Sequence, residues 1–143
     1  PDVDDYTLPI GVAKVERKGT DVTLVAHSIM VGHALDAAKQ LNNEGVSAEV
    51  INLRTLRPLD ENMIINSLKK TNRLVSIEEG WPVAGIGSEI SAIAMECAFD
   101  YLDAPVIRVC GADVPMPYAH NLEAAYLPNT KQIVEAAKSV CYR

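Results

Sequence analysis

Short apolar runs alternate with stretches of helical period along this chain of 143 residues. Val22-Thr23-Leu24-Val25-Ala26 is β-branched and apolar, which predicts a buried strand. Ahead of it, Ala13 to Glu16 predicts a short strand ending at the Lys18-Gly19-Thr20 turn. Then the period changes: Val31, Ala34, Leu35, Ala38 and Leu41 form one helical stripe. Ser28 is the candidate N-cap of that helix, and Gly45 the glycine that stops it. Val46 to Leu53 reads as the next strand. Pro58 and Asp60 start a second helix with Ile64, Ile65 and Leu68 inward, and Leu74 to Ile77 follows as a strand. A loop rich in Gly and Pro, Gly80 to Gly87, leads to a third helix over about Ser88 to Asp100. That helix is apolar on most sides, so a second surface besides the core must cover it. Val106 to Val109 is the last strand, and Gly111 to Pro128 reads as a long loop. Asn129 caps the final helix with Gln132 at the capping-box position, and Ile133, Ala136, Ala137 and Val140 form its stripe.

Strands that alternate with helices imply parallel pairing. The expected fold is α/β, a three-layer sandwich with a mostly parallel sheet of about five strands. Ala13 to Glu16 is the candidate antiparallel edge.

Length allows one domain of ordinary size. Residues 1–11 read as a linker from an upstream domain, and residues 12–143 as the domain itself. The first residue is Pro1 rather than Met, so the chain is expected to start inside a longer polypeptide. The net charge of −6 opposes nonspecific nucleic-acid binding, which needs a basic footprint. No apolar run reaches the length of a membrane span, and residues 1–6 are acidic, unlike a signal peptide. Cys97, Cys110 and Cys141 form no CxxC pair and are expected to be small core residues in a reducing compartment.

Candidate chemistry is sparse. Gly85-Ile86-Gly87 follows a strand and opens a helix, where amides can hold an anion, but the spacing is neither GxGxxG nor a Walker loop. A tight turn for close packing accounts for it as well. Glu78 and Glu79 lie at a strand's carboxyl end, but neighbours on a strand point to opposite faces, so solvated or ion-paired carboxylates are expected. His27 beside Ser28 lacks the elbow and the third group of a nucleophilic set. His33 and His120 make no metal-ligand spacing. Gly111 to Tyr118, with Pro115 and Pro117 around Met116, is a stiff loop that either meets a partner or packs on its own domain. Trp81, between Gly80 and Pro82, is an interface anchor or core filler.

Several segments carry a resemblance. They are Gly19-Thr20-Asp21-Val22-Thr23, Glu49 to Pro58, Lys70 to Val75, Glu79-Gly80-Trp81-Pro82, Leu102-Asp103-Ala104-Pro105 and Gly111 to Ala119. Together they resemble the transketolase C-terminal family, in the form found as the C-terminal domain of pyruvate dehydrogenase beta subunits. The 111–119 loop differs in relatives acting on branched-chain oxo acids, which favours pyruvate. The same domain of another 2-oxo acid or acetoin dehydrogenase is the alternative within the family. Outside it, the alternatives are a freestanding small-molecule module near Glu78 and an enzyme using His27 and Ser28.

The resemblance implies an α2β2 enzyme that decarboxylates pyruvate on thiamin diphosphate with magnesium and reductively acetylates a lipoyl group. It places the pyrimidine-binding half upstream and the diphosphate and magnesium motif on the alpha subunit. No catalytic, cofactor-binding or metal residue is therefore expected here. The domain's implied role is assembly: it pairs with a beta subunit copy, meets the alpha subunit, and docks the subunit-binding domain of the dihydrolipoyl acetyltransferase. Asp103 and the terminal carboxylate on Arg143 are the implied docking groups. Trp81, Pro82, Met116, Pro117, Tyr118 and His120 are the subunit-interface candidates, and the implied compartment is the mitochondrial matrix.

Overall fold

The computed structural model describes residues 5–143. Among the described residues five strands form: β1 (Lys14–Arg17), β2 (Val22–Ala26), β3 (Ala48–Asn52), β4 (Leu74–Ile77) and β5 (Ile107–Val109). They make one sheet in the order β1-β3-β2-β4-β5. Pairing is parallel throughout except for β1, which runs antiparallel along β3 at the edge. The α/β class, the strand number and the antiparallel edge are those the hydrophobic pattern implies.

Among the described residues five α-helices accompany the strands, α1 (Met30–Asn43), α2 (Glu61–Thr71), α3 (Ile86–Ala98), α4 (His120–Tyr126) and α5 (Thr130–Val140), and a short 3-10 turn (Phe99–Tyr101) follows α3. The pleat sorts the core into two layers. Val22, Leu24 and Ala26 of β2 pack with Ala34 and Leu41 of α1 and Ile133 and Ala137 of α5. Val25, between them, joins Ile64 and Leu68 of α2 and Ile90 and Ala94 of α3 on the other face. β2 is buried along its whole length, and it is apolar at every position but Thr23, whose hydroxyl is paired inside.

Helix starts follow their caps. The Asp60 carboxylate accepts the Met63 amide at 3.1 Å and the Ala13 amide at 2.9 Å, so one side chain starts α2 and ties down the approach to β1. Asn129 and Gln132 exchange both bonds of a capping box at α5. Gly45 ends α1 at φ 77°, a conformation that favours glycine.

The structure departs from the sequence pattern in four places. Ser28 is no N-cap: it is exposed in the left-handed region at φ 54°, turning the chain out of β2, and α1 begins at Met30 without a side-chain cap. Helix α3 starts at Ile86, before Ser88, for a reason given below. The 111–128 loop contains α4, whose 7 residues are too few to show a periodic stripe. The cysteines are less buried than expected: Cys97 is exposed, Cys110 is half-buried, and Cys141 is half-buried against the core.

The expected linker over 1–11 lies partly outside the described residues. From 5 to 11 the chain forms neither helix nor strand, and the Gly11 amide donates to Thr55 Oγ1 at 3.1 Å. Among the described residues no helix is long and apolar enough to cross a membrane.

Candidate functional site

Strand β2 has β3 on one side and β4 on the other, so the carboxyl ends of β2 and β4 flank the point where strand order reverses. Ligands of open α/β sheets usually bind there. In this chain the place is filled from within. Glu78, only 3% exposed, follows β4 and accepts the amides of Ile86 and Gly87, each at 3.0 Å. Those amides are the unpaired donors of the first turn of α3, where the helix dipole also favours an anion. The carboxylate therefore starts the helix at Ile86. Gly85 and Gly87 make room for it: a Cβ would stand 2.6 Å from the carboxylate at Gly85 and 2.9 Å at Gly87.

One expectation is corrected by this geometry: Glu78 is buried on backbone amides rather than solvated or ion-paired. Gly85-Ile86-Gly87 is a closely packed turn that cradles the chain's own carboxylate. The residues here do not fit a diphosphate, because a second anion would meet Glu78 on the same amides. Among the described residues no group of His, Cys, Asp and Glu is placed to hold a metal ion.

The remaining reactive side chains are dispersed. Cys110 Sγ lies 3.7 Å from Glu78 Oε1, and burial, with the Glu78 charge second, pushes its thiol up to about 11. Such a thiol stays protonated and inert near neutral pH. Burial likewise raises Cys141. His27 is half-buried with Nδ1 unpartnered, and no hydrogen bond joins it to Ser28 among the described residues. His33 Nδ1 lies 3.3 Å from Thr130 Oγ1, tying α1 to the start of α5.

A second buried carboxylate is structural. Glu49 on β3 accepts Ser67 Oγ at 2.5 Å, Lys70 Nζ, and the Gly19 amide at 3.3 Å. Burial alone would raise its pKa, but Lys70, Ser67 and Gly19 outweigh burial and hold it below the ordinary glutamate value. Thr23 extends the network to Ser67 and Thr71, both at 2.7 Å. The network fastens α2 to the middle of the sheet.

Two loops at the strand carboxyl ends meet. Trp81 Nε1 donates to the Val114 carbonyl at 3.0 Å, and the Gly111 amide to the Gly80 carbonyl at 2.9 Å. Arg108 braces the first loop through the Pro82 carbonyl and Ser88 Oγ, both at 2.7 Å. Trp81 stays half-exposed, while Pro82 is partly buried. Met116, Pro117 and Tyr118 line a hollow of about 450 Å³ with Glu123, and Tyr118 is fully exposed. His120, also exposed, lies 3.9 Å from Glu123.

Asp103 is placed elsewhere, in the turn between α3 and β5. Its side chain is 51% exposed and pairs with Arg73 at 3.0 Å. Its backbone is pinned twice: the amide donates to the Asn72 carbonyl at 2.9 Å, and the carbonyl accepts Tyr142 Oη at 2.9 Å. The Arg143 guanidinium reaches the carbonyls of Glu44 and Gly45 at 3.4 and 3.3 Å. Arg73, Cys141 and Arg143 share a hollow with Asp21, so Arg73 bridges the Asp103 turn and the chain's last residues. Sequence reasoning missed Arg73 and Tyr142, since partners so distant in sequence leave no local signal. Glu78 and Glu49 did leave one: each is a carboxylate in or directly after a mostly apolar strand.

The chain is a doubly wound α/β domain whose strand-end crevice is filled by Glu78, with exposed apolar and acidic surface elsewhere. The chain belongs to the family described as transketolase, C-terminal domain, which matches residues 11–133. It is 63% identical over 139 residues to "Pyruvate dehydrogenase E1 component subunit beta, mitochondrial" of Dictyostelium discoideum, covering 97% of this chain and 39% of that protein. It is 59% identical over 138 residues to the beta-1 subunit, mitochondrial, of Arabidopsis thaliana, covering 96% of this chain and 38% of that protein. The beta subunit of Rhizobium meliloti is 50% identical over 143 residues, covering 100% of this chain and 31% of that protein. A solved structure titled "Split gene transketolase, inactive beta4 tetramer" superposes with a TM-score of 0.83 at 30% identity, over 96% of this chain and 44% of that one. The chain thus spans well under half the length of these relatives.

Proposed function

We propose that this chain is the C-terminal assembly domain of the beta subunit of a thiamin diphosphate-dependent pyruvate dehydrogenase component. The parent enzyme decarboxylates pyruvate and reductively acetylates a lipoyl group; the domain pairs subunits and docks the dihydrolipoyl acetyltransferase. Support comes from the beta-subunit relatives, 50 to 63% identical over nearly the whole chain. In this proposal residues 1–11 link to the rest of the subunit and residues 12–143 form the domain. Thiamin diphosphate and magnesium belong to the parent enzyme, away from these residues. The Dictyostelium and Arabidopsis relatives are named mitochondrial, which supports a matrix location.

The observation that carries the docking role is the state of Asp103. One carboxylate oxygen is on Arg73, the turn is held rigid by Asn72 and Tyr142, and half the side chain remains open. A pre-placed carboxylate on a domain of net charge −6 suits a basic partner, drawn in by an attraction that salt weakens. Arg143 contributes its carboxylate where the natural chain ends at that residue. Trp81, Pro82, Met116, Pro117, Tyr118 and His120 are proposed to meet the beta copy or the alpha subunit, because these loops leave apolar surface uncovered.

Calorimetric titration of the assembled enzyme with the acetyltransferase's subunit-binding domain tests the proposal. Salt-sensitive binding that Asp103→Ala weakens about tenfold is expected. Binding of unchanged strength in Asp103→Ala would remove Asp103 from the docking site.

A further inference from the structure

Helix α2 carries two stripes. Ile64, Leu68 and Thr71 are buried in the core. Met63, Asn66, Ser67 and Lys70, at i, i+3, i+4 and i+7, form a second stripe beside them. With Val15 of β1, Lys18 and Glu49, that second stripe lines a hollow of about 370 Å³. Val15 and Met63 are half-buried and supply apolar wall. Glu49 and Ser67 are buried and form the floor, while Lys18, Asn66 and Lys70 are exposed at the rim.

The two cations are placed by the fold. Gly19 packs so closely on β3 that a Cβ would stand 2.2 Å from the Ala48 carbonyl carbon and the Glu49 nitrogen, and this close approach sets Lys18 beside the hollow. Among the described residues Lys18 forms no ion pair. Lys70 donates to Glu49 and keeps 45% of its side chain exposed, so its other ammonium hydrogens remain free. Glu49 is the one acid in the lining, and Ser67, Lys70 and the Gly19 amide already occupy its oxygens. The hollow is therefore locally cationic on a domain of net charge −6.

This combination narrows the ligand. A cation would meet Lys18 and Lys70 and be repelled. A compact polyanion would occupy the rim and leave Val15 and Met63 uncovered. We propose that the hollow binds a small monocarboxylate with a short alkyl chain, its carboxylate on Lys18, Lys70 and Asn66 and its chain against Val15 and Met63. Apolar burial supplies the part of the affinity that salt does not change, and the lysines supply the part that salt weakens. None of these residues belongs to the docking site proposed above.

The test titrates the assembled enzyme with hexanoate, and with acetate, hexanol and hexylamine as comparators, by saturation-transfer NMR. Hexanoate is expected to saturate in the millimolar range and to bind less tightly at high salt. Acetate and hexanol are expected to bind about tenfold more weakly, and hexylamine not at all. Lys18→Gln, at an exposed position, is expected to weaken hexanoate about fivefold and Lys18→Arg to restore it. Met63→Gln keeps the length of the side chain while making the wall polar, and is expected to cost about threefold; circular dichroism checks its fold. No saturable hexanoate binding by about 50 mM overturns the proposal. Unchanged affinity in Lys18→Gln, or in a folded Met63→Gln, takes hexanoate out of this hollow and also overturns it. Acetate binding as tightly as hexanoate overturns the alkyl part of the ligand, and hexanol binding as tightly overturns the carboxylate.

Discussion

Glu78 and Asp103 are both carboxylates beside the ends of α3, and they have opposite fates. Glu78, at the start, is buried and fully occupied by the amides of Ile86 and Gly87. Asp103, beyond the end, keeps half its side chain in solvent with one oxygen on Arg73. The difference is one of location. The start of a helix at a strand's carboxyl end concentrates unpaired N–H groups, and this chain meets that demand internally. The turn after α3 has fewer internal obligations, so its carboxylate remains available. A crevice that binds ligands in other α/β sheets has here become part of the core, and the proposed docking role falls to the flank.

The comparison is broken most severely by removing the buried partner. Glu78→Ala leaves the Ile86 and Gly87 amides without an acceptor and is expected to cost about 3 kcal/mol in urea unfolding, while the Asp103 surface is untouched. Gly87→Ala approaches the same point from the other side. Its Cβ would crowd the carboxylate at 2.9 Å, Ser76 Oγ at 3.0 Å and Arg108 at 3.1 Å, for a loss of about 2 kcal/mol.

Glu49 sharpens the comparison through pH. Its pKa is lowered in the folded state, so the unfolded chain binds the proton more tightly. The stabilisation is complete at neutral pH. It declines once pH falls through the ordinary value of about 4.3 and is gone below the lowered pKa. Glu49→Gln is expected to be less stable than wild type at pH 7, and the gap to narrow on acidification. A gap independent of pH would mean that packing, not the charge, accounts for the loss.

Asp103→Ala is expected to do the reverse of Glu78→Ala. Its unfolding free energy should change by less than about 0.5 kcal/mol, while partner affinity drops about tenfold. The smallest effect is expected at the loop pair. Trp81→Phe loses only the bond to the Val114 carbonyl, worth about 1 kcal/mol or less, and thermal melting should register it as a slight loss.

Much of this fold was legible in the sequence, because its signals are local. The β2 run, the α1 and α5 stripes, the Asp60 cap and the Asn129–Gln132 box each specify their element within a few residues. What stayed hidden depends on distant contacts or brevity. Helix α4 is one short segment between prolines, held partly by the Ala112 amide on the Tyr126 carbonyl. Ser28 looked like a cap because its neighbours are helical, but the sharp exit from β2 needs its left-handed backbone. Glu78 was misread because the strand pleat says which way a carboxylate points and not what waits there. Asp103 was named from resemblance, whereas its partners Arg73 and Tyr142 lie 30 and 39 residues away in sequence and emerged only from the structure.

Hydrogen–deuterium exchange of the assembled enzyme, with and without saturating subunit-binding domain, tests the central claim most directly. The account predicts new protection over 99–105 and at the last residues of the chain, with no change over 78–87, where Glu78 already occupies the crevice. Protection confined to 78–87 and the 111–118 loop would place recognition at the strand ends and contradict it.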